Sequence, residues 1–218
     1  MPGEDLGRLL SLTDGVFAFA LTLLVLSLTV PSIVGASNLP EPVLSGRLGA
    51  ALQRDSYAFI GYVFTFVMIA IWWVSHHRLF QFIVRYDEVL LGLNLALLLE
   101  IAVMPFVLKV FVSYSGTQVA VILFSLIQAS TGLTLGLIWR YASWHRRLLR
   151  PDFPDAAIRY YLSRAFLTPV VFLISIGVSF VNLTASEIVW LGVFVAQRYV
   201  SRAYATHASS EDPVPPSS

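Results

Sequence analysis

Hydrophobic residues are arranged along this chain in long blocks. They fill about 6–30, 56–75, 89–108, 118–139, 160–181 and 186–205, and most charged residues gather between them. A helix needs roughly 20 predominantly apolar residues to cross a hydrocarbon layer about 30 Å thick, so each block is read as one membrane-spanning helix. Polar punctuation supports the boundaries. Pro31 stops the first block, the turn-like SYSGT precedes the fourth, and RYASWHRRLLRPDFP follows it. The third block contains one charge, Glu100; the sixth contains Arg198 and Arg202, which lie i, i+4 on one face and can snorkel to the interface. The expected fold is an all-α integral membrane protein, with one six-helix transmembrane domain over 1–205. The polar end, 206–218, reads as a disordered tail.

Composition agrees with this pattern. The 218 residues are 57% hydrophobic and 12% charged, about half the charge of an ordinary soluble domain. Cysteine is absent, which excludes disulfides and thiolate metal sites, and a net charge of +1 gives no reason to expect nucleic acid. Positive charges cluster on the cytoplasmic side of membrane proteins. With the N-terminus inside, that side carries Arg8, Arg78, Arg85, Arg140, Arg146, Arg147, Arg150, Arg159, Arg164, Arg198 and Arg202, leaving Arg47, Arg54 and Lys109 outside. Both termini are therefore expected in the cytoplasm, which requires an even number of spans. Val34-Gly35-Ala36 resembles a signal-peptidase site, but Glu4 and Asp5 precede Arg8 and the apolar run is too long for a signal peptide.

The first block places an acid at its mouth. A helix starting at Gly15 would be about 24 Å long and too short, so it is expected to begin near Glu4 or Asp5, which puts Asp14 within it near the inner boundary. Arg8 lies about 9 Å away along the axis and about 120° around it, so the two do not pair within one helix. Partners must come from the end of the second block, where Trp72, Trp73, Ser75, His76, His77 and Arg78 arrive at the same depth, and from Asn94 in the third. An intramembrane carboxylate is costly unless paired. Asp14 is accordingly expected to lock the helix into an inner-leaflet polar cluster. Phe19, Leu23, Leu26 and Val30 form a stripe at i, i+4, i+7, i+11 on the same helix, with Thr22 beside it; lipid contact or simple packing would also account for such a stripe.

These residues resemble the start of the endosomal and lysosomal potassium channel family, the transmembrane protein 175 type. The family pattern is an arginine, three residues, then Phe-Ser-Asp, followed by Gly-Val-Phe-Ala and a Thr-Leu-Leu-Val-Leu run. This chain has Arg8, Leu12-Thr13-Asp14 and GVFAFALTLLVL, and the likeness continues through WWVSHHRLF and LNLALLLEIAVMPF over about the first 110 residues. The resemblance implies a homotetramer in a bacterial-type inner membrane, with the first helix of each subunit lining a central pore that passes K⁺ with modest preference over Na⁺. It implies a hydrophobic constriction at Phe19, Leu23 and Leu26, with Thr22 and Val30 associated with the pore. It further implies an anchoring network of Arg8, Thr13, Asp14, Trp72, Trp73, Ser75, His76, His77 and Asn94. The expected partners are other subunits, membrane lipids and permeant monovalent cations, with no cofactor. Phe19 departs from the family's isoleucine at the narrowest ring. No TVGYG-type sequence offers a filter of carbonyl rings, so selectivity must arise from partial dehydration at an apolar constriction.

Other readings are weaker. His76 and His77 are adjacent and point about 100° apart on a helix, so they do not share a metal. Glu100, near mid-membrane, is either a titratable group on an ion path or a paired packing residue. Asn182-Leu183-Thr184 has the form of a glycosylation site at a short turn, and Trp144 with Arg146, Arg147 and Arg150 reads as a topology-setting, lipid-contacting loop. A secondary transporter is the alternative function, but no repeat or matched helix break is visible. Paired acids, a nucleophile with a base and metal-ligand spacing are all missing, which argues against an enzyme.

Overall fold

The computed structural model describes residues 2–211. The regular elements of the described residues are helices: α1 (Pro2–Leu23) tightens into a 3-10 turn (Leu24–Ser27), and α2 (Glu41–Arg54), α3 (Ser56–Phe80), α4 (Glu88–Ser113), α5 (Gln118–Ser143), α6 (Asp155–Ser179), α7 (Leu183–Trp190) and α8 (Gly192–Glu211) follow. Among the described residues, five segments are long and apolar enough to cross a membrane: Leu6–Ser27, Ser56–Phe80, Glu88–Ser113, Gln118–Arg146 and Asp155–Ser179. The expected sixth, 186–205, is divided at Leu191 into α7 and α8.

Helix starts follow from local chemistry. The Asp87 carboxylate accepts the Leu90 N–H at 3.0 Å and so caps α4, and Asn182 Oδ1 accepts the Ala185 N–H at 2.8 Å to start α7. α5 is central, with 61% of its apolar stretch buried, against 22% for α3. It meets α6 closely because Gly132 has no side chain; a Cβ there would lie 2.7 Å from the Pro169 ring and 2.9 Å from Trp72. Ser125, Gln128 and Thr131 are buried along the same helix.

The loop after α5 is folded back onto the bundle. His145 and Arg146 take φ of 50° and 51°, which reverses the chain. Leu148, Leu149 and Phe153 are then buried, and the Val84 N–H donates to Leu148 O at 2.9 Å. Asp87 fastens this loop, since its Oδ2 accepts from the Tyr141 hydroxyl at 2.6 Å and pairs with Arg147 at 3.2 Å. The arginine-rich loop is therefore part of the packed structure.

Three features differ from the sequence reading. The first helix ends at Ser27, so Val30 lies beyond it and is 91% exposed. The segment between the first two spans contains α2, which buries no side chain fully. The expected disordered tail, 206–218, is helical as far as Glu211, and 212–218 lie outside the described residues.

Candidate functional site

α1 has two unlike faces. Leu9, Thr13, Phe17, Ala20, Leu24 and Ser27, spaced by three or four residues, are buried against α3 and α4. The opposite face presents Ser11, Leu12, Asp14, Gly15, Phe19, Thr22 and Leu26, with Phe19 65% and Leu26 69% exposed. Leu23 is half-buried between the two, in a shallow groove shared with Phe19 and Ala102. Thr22 returns its hydroxyl to Phe19 O at 2.8 Å, one turn before the helix tightens. In a 3-10 turn each residue advances about 120°, so three steps bring Leu26 into line with Leu23.

The buried face is pinned by a directional hydrogen-bond chain. Asn94 Nδ2 donates to Thr13 Oγ1 at 3.0 Å, and Thr13 donates to Leu9 O at 2.9 Å. Since the Asn94 amide donates there, its Oδ1 accepts from His76 Nε2 at 2.8 Å, which assigns the Nε2–H tautomer to His76. All three side chains are buried, and the His76 ring stacks on Phe80 with centroids 4.0 Å apart. On the exposed side, Trp73 Nε1 donates to Asp14 Oδ1 at 2.8 Å, and His77 stacks on the Trp73 ring. The expected cluster thus contains Thr13, Asp14, Trp73, His76, His77 and Asn94.

Three expected members lie elsewhere. Trp72 turns to α5 and donates to Gln128 Oε1 at 3.0 Å, because residues one apart on a helix point about 100° apart. Ser75 borders a different pocket, with Arg78 and Arg164. Arg8 is exposed and makes no ion pair among the described residues.

The far end of α1 has an anchor that the charge count had assigned to an outer loop. Lys109 Nζ, from α4, donates to Ser27 O at 3.1 Å, and Ser27 Oγ donates to Leu24 O at 2.6 Å. An ammonium at the last carbonyls suits the negative end of a helix. Lys109 is the chain's only lysine and directly follows the apolar block 89–108, with Val110 to Val112 apolar after it, which is the signal the sequence carries. Glu100 faces away from α1; its Oε1 accepts from Ser130 and from Thr134 at 3.0 Å, while its Oε2 is buried without a partner. No cluster of metal-binding side chains occurs among the described residues.

Comparisons with known proteins identify this arrangement. The profile of the family described as endosomal/lysosomal potassium channel TMEM175 matches residues 8–105, which include α1 from Arg8 onward and Thr13, His76 and Asn94. A potassium channel of Streptomyces collinus is 32% identical over 183 residues, covering 82% of this chain and 84% of that one. A potassium channel of Chamaesiphon minutus is 28% identical over 197 residues, or 88% of this chain and 90% of the relative. The crystal structure of a lysosomal potassium-selective channel TMEM175 homologue from Chamaesiphon minutus shares the fold, with TM-score 0.73, 23% identity and coverage of 92% of this chain and 98% of that one. With the family profile matching residues 8–105, a 32%-identical relative aligned over most of both chains and the fold in common, this chain belongs to the TMEM175 family.

Proposed function

We propose that the protein conducts K⁺ passively through a central pore lined by α1 of each subunit of a homotetramer, in a bacterial plasma membrane. The observation that carries this reading is the composition of the exposed face of α1. Along the middle of α3 the exposed side chains, Phe59, Ile60, Val63 and Phe66, are apolar, as suits contact with lipid. The α1 face instead mixes Phe19 and Leu26 with Ser11, Asp14, Gly15 and Thr22, groups that favour a water-containing axis over hydrocarbon. One chain supplies one such helix, so a pore requires several copies.

In this reading Phe19, Leu23 and Leu26 form the constriction, and Thr22 offers a hydroxyl between the rings. K⁺ sheds hydration water more readily than Na⁺ at an apolar neck, which gives modest selectivity, and wetting of the neck gates conduction. The anchors at Thr13, Asp14 and Lys109 hold each pore helix at a fixed height and rotation. α7 and α8 together contain enough residues for a sixth crossing, with Arg198 and Arg202 at the interface, which returns the chain to the side of its N-terminus. Both termini are then cytoplasmic, as the arginine distribution favours.

Reconstitution into K⁺-loaded liposomes tests the proposal. Wild type is expected to pass K⁺ down its gradient with a reversal potential favouring K⁺ over Na⁺. Leu23→Ala is expected to move that potential toward the non-selective value. Saturable exchange, or no downhill flux, would instead identify a carrier.

A further inference from the structure

At the end of the bundle opposite Asp14, α3, α4, α5 and α7 border an open pocket of about 190 Å³, with Ile60 and Ile188 exposed at its mouth, to which α1 contributes nothing. Five aromatic side chains line it: Tyr57, Phe64, Phe111, Phe124 and Trp190. Their centroids lie close around the indole, at 4.7 Å for Phe124, 5.3 Å for Phe111 and 5.7 Å for Phe64. Trp190 is held in place by its Nε1, which donates to Ser125 Oγ at 3.0 Å and to Ser175 Oγ at 2.7 Å. Glu187 supplies the one charge in the lining. Its Oε1 accepts from the Tyr57 hydroxyl at 2.7 Å, and it forms no ion pair among the described residues.

We propose that this cavity binds a small hydrophobic organic cation of the quaternary ammonium type. Aromatic faces attract a cation through their quadrupoles, and a ring of them is the recurrent solution for ammonium groups too large to be hydrated tightly. The Glu187 carboxylate has no counter-charge in a mostly apolar wall, where only Tyr57 and Thr184 add hydroxyls, and such a ligand provides one while its alkyl surface meets the rings. An inorganic cation fits poorly, because it needs several oxygen ligands and the cavity offers a single carboxylate. A neutral hydrocarbon leaves the carboxylate uncompensated. The volume exceeds by several-fold the roughly 30 Å³ that a water molecule occupies in the liquid, so there is room for a trimethylammonium head. The site is independent of the potassium reading, since the bound cation stands apart from α1.

The test is equilibrium binding of phenyltrimethylammonium to the purified full-length protein in detergent, beside its neutral isostere tert-butylbenzene. Saturable binding of the cation, at least about tenfold tighter than the isostere and weakened about tenfold by Glu187→Gln, is expected. Glu187→Gln keeps an acceptor for Tyr57, and circular dichroism establishes that the variant is folded. Equal binding of cation and isostere by wild type would overturn the proposal without recourse to any variant. Absence of binding, or cation binding unaffected by Glu187→Gln as expected of a pore blocker, would overturn it too.

Discussion

Asn94 shows how one side chain can set the position of a helix. It is fully buried and uses both ends of its amide, accepting a hydrogen bond from His76 on α3 and donating one to Thr13 on α1. Asn94→Leu retains the volume but leaves His76 Nε2 buried without its acceptor and removes the donor to Thr13 Oγ1, which keeps its bond to Leu9 O. Interhelical hydrogen bonds in membranes average about 0.6 kcal/mol, and stranding a buried group adds to that, so a loss of about 1–3 kcal/mol is expected. Thr13→Ser, which preserves both bonds, should cost far less. Reversible unfolding in mixed micelles measures both, and equal losses would contradict the chain as described. The residues of this chain were legible because depth alone brings polar groups near one interface together. Rotational phase was not legible: Trp72 and Trp73 share a depth, yet one faces Gln128 and the other Asp14.

Among elements, the spans were readable because a hydrocarbon layer demands uninterrupted apolar length, and α3, α4, α5 and α6 begin within five residues of the expected starts. What the pattern missed needs shorter-range information. α2 is short and contains Pro42, Gly46 and Gly49, so its composition resembles a loop. The break at Leu191 falls within a continuous apolar stretch, where mean hydropathy gives no warning. Close approach of α5 and α6 is likewise invisible without the partner helix, although Gly132 makes it testable. Gly132→Ala would place a methyl within 2.7 Å of the rigid Pro169 ring and 2.9 Å of Trp72. Overpacking of that kind costs about 1–3 kcal/mol, and here it also disturbs Trp72 and its bond to Gln128. A variant as stable as wild type in thermal unfolding would show that the two helices separate freely.

Across the whole molecule, the start of α4, the end of α5 and the loop that follows it are tied together at Asp87. Burial pushes its carboxyl upward, but the Tyr141 hydroxyl, the Leu90 N–H and the Arg147 guanidinium outweigh this and hold it below the ordinary carboxylate value. The stability it contributes is therefore complete above the unfolded value of about 4 and is lost as pH falls through the lower native value. Thermal unfolding between neutral pH and about pH 3 should show this decline in wild type, and Asp87→Asn should lack that component. The same acid decline in both proteins would remove Asp87 from the account.

The 3-10 turn at Leu24–Ser27 makes the end of α1 a screw with two available pitches. From Leu23 to Leu26 the tighter winding turns about 360° and climbs about 6 Å, whereas α-helical winding turns about 300° and climbs about 4.5 Å. Rewinding those four residues would swing Leu26 about 60° off the line of Leu23 and retract it about 1.5 Å, while the anchored turns around Thr13 stayed fixed. Lys109 clasps Ser27 O at the end of the tighter turn, so one ammonium from α4 sits where a change of pitch would alter the spacing of the two leucines.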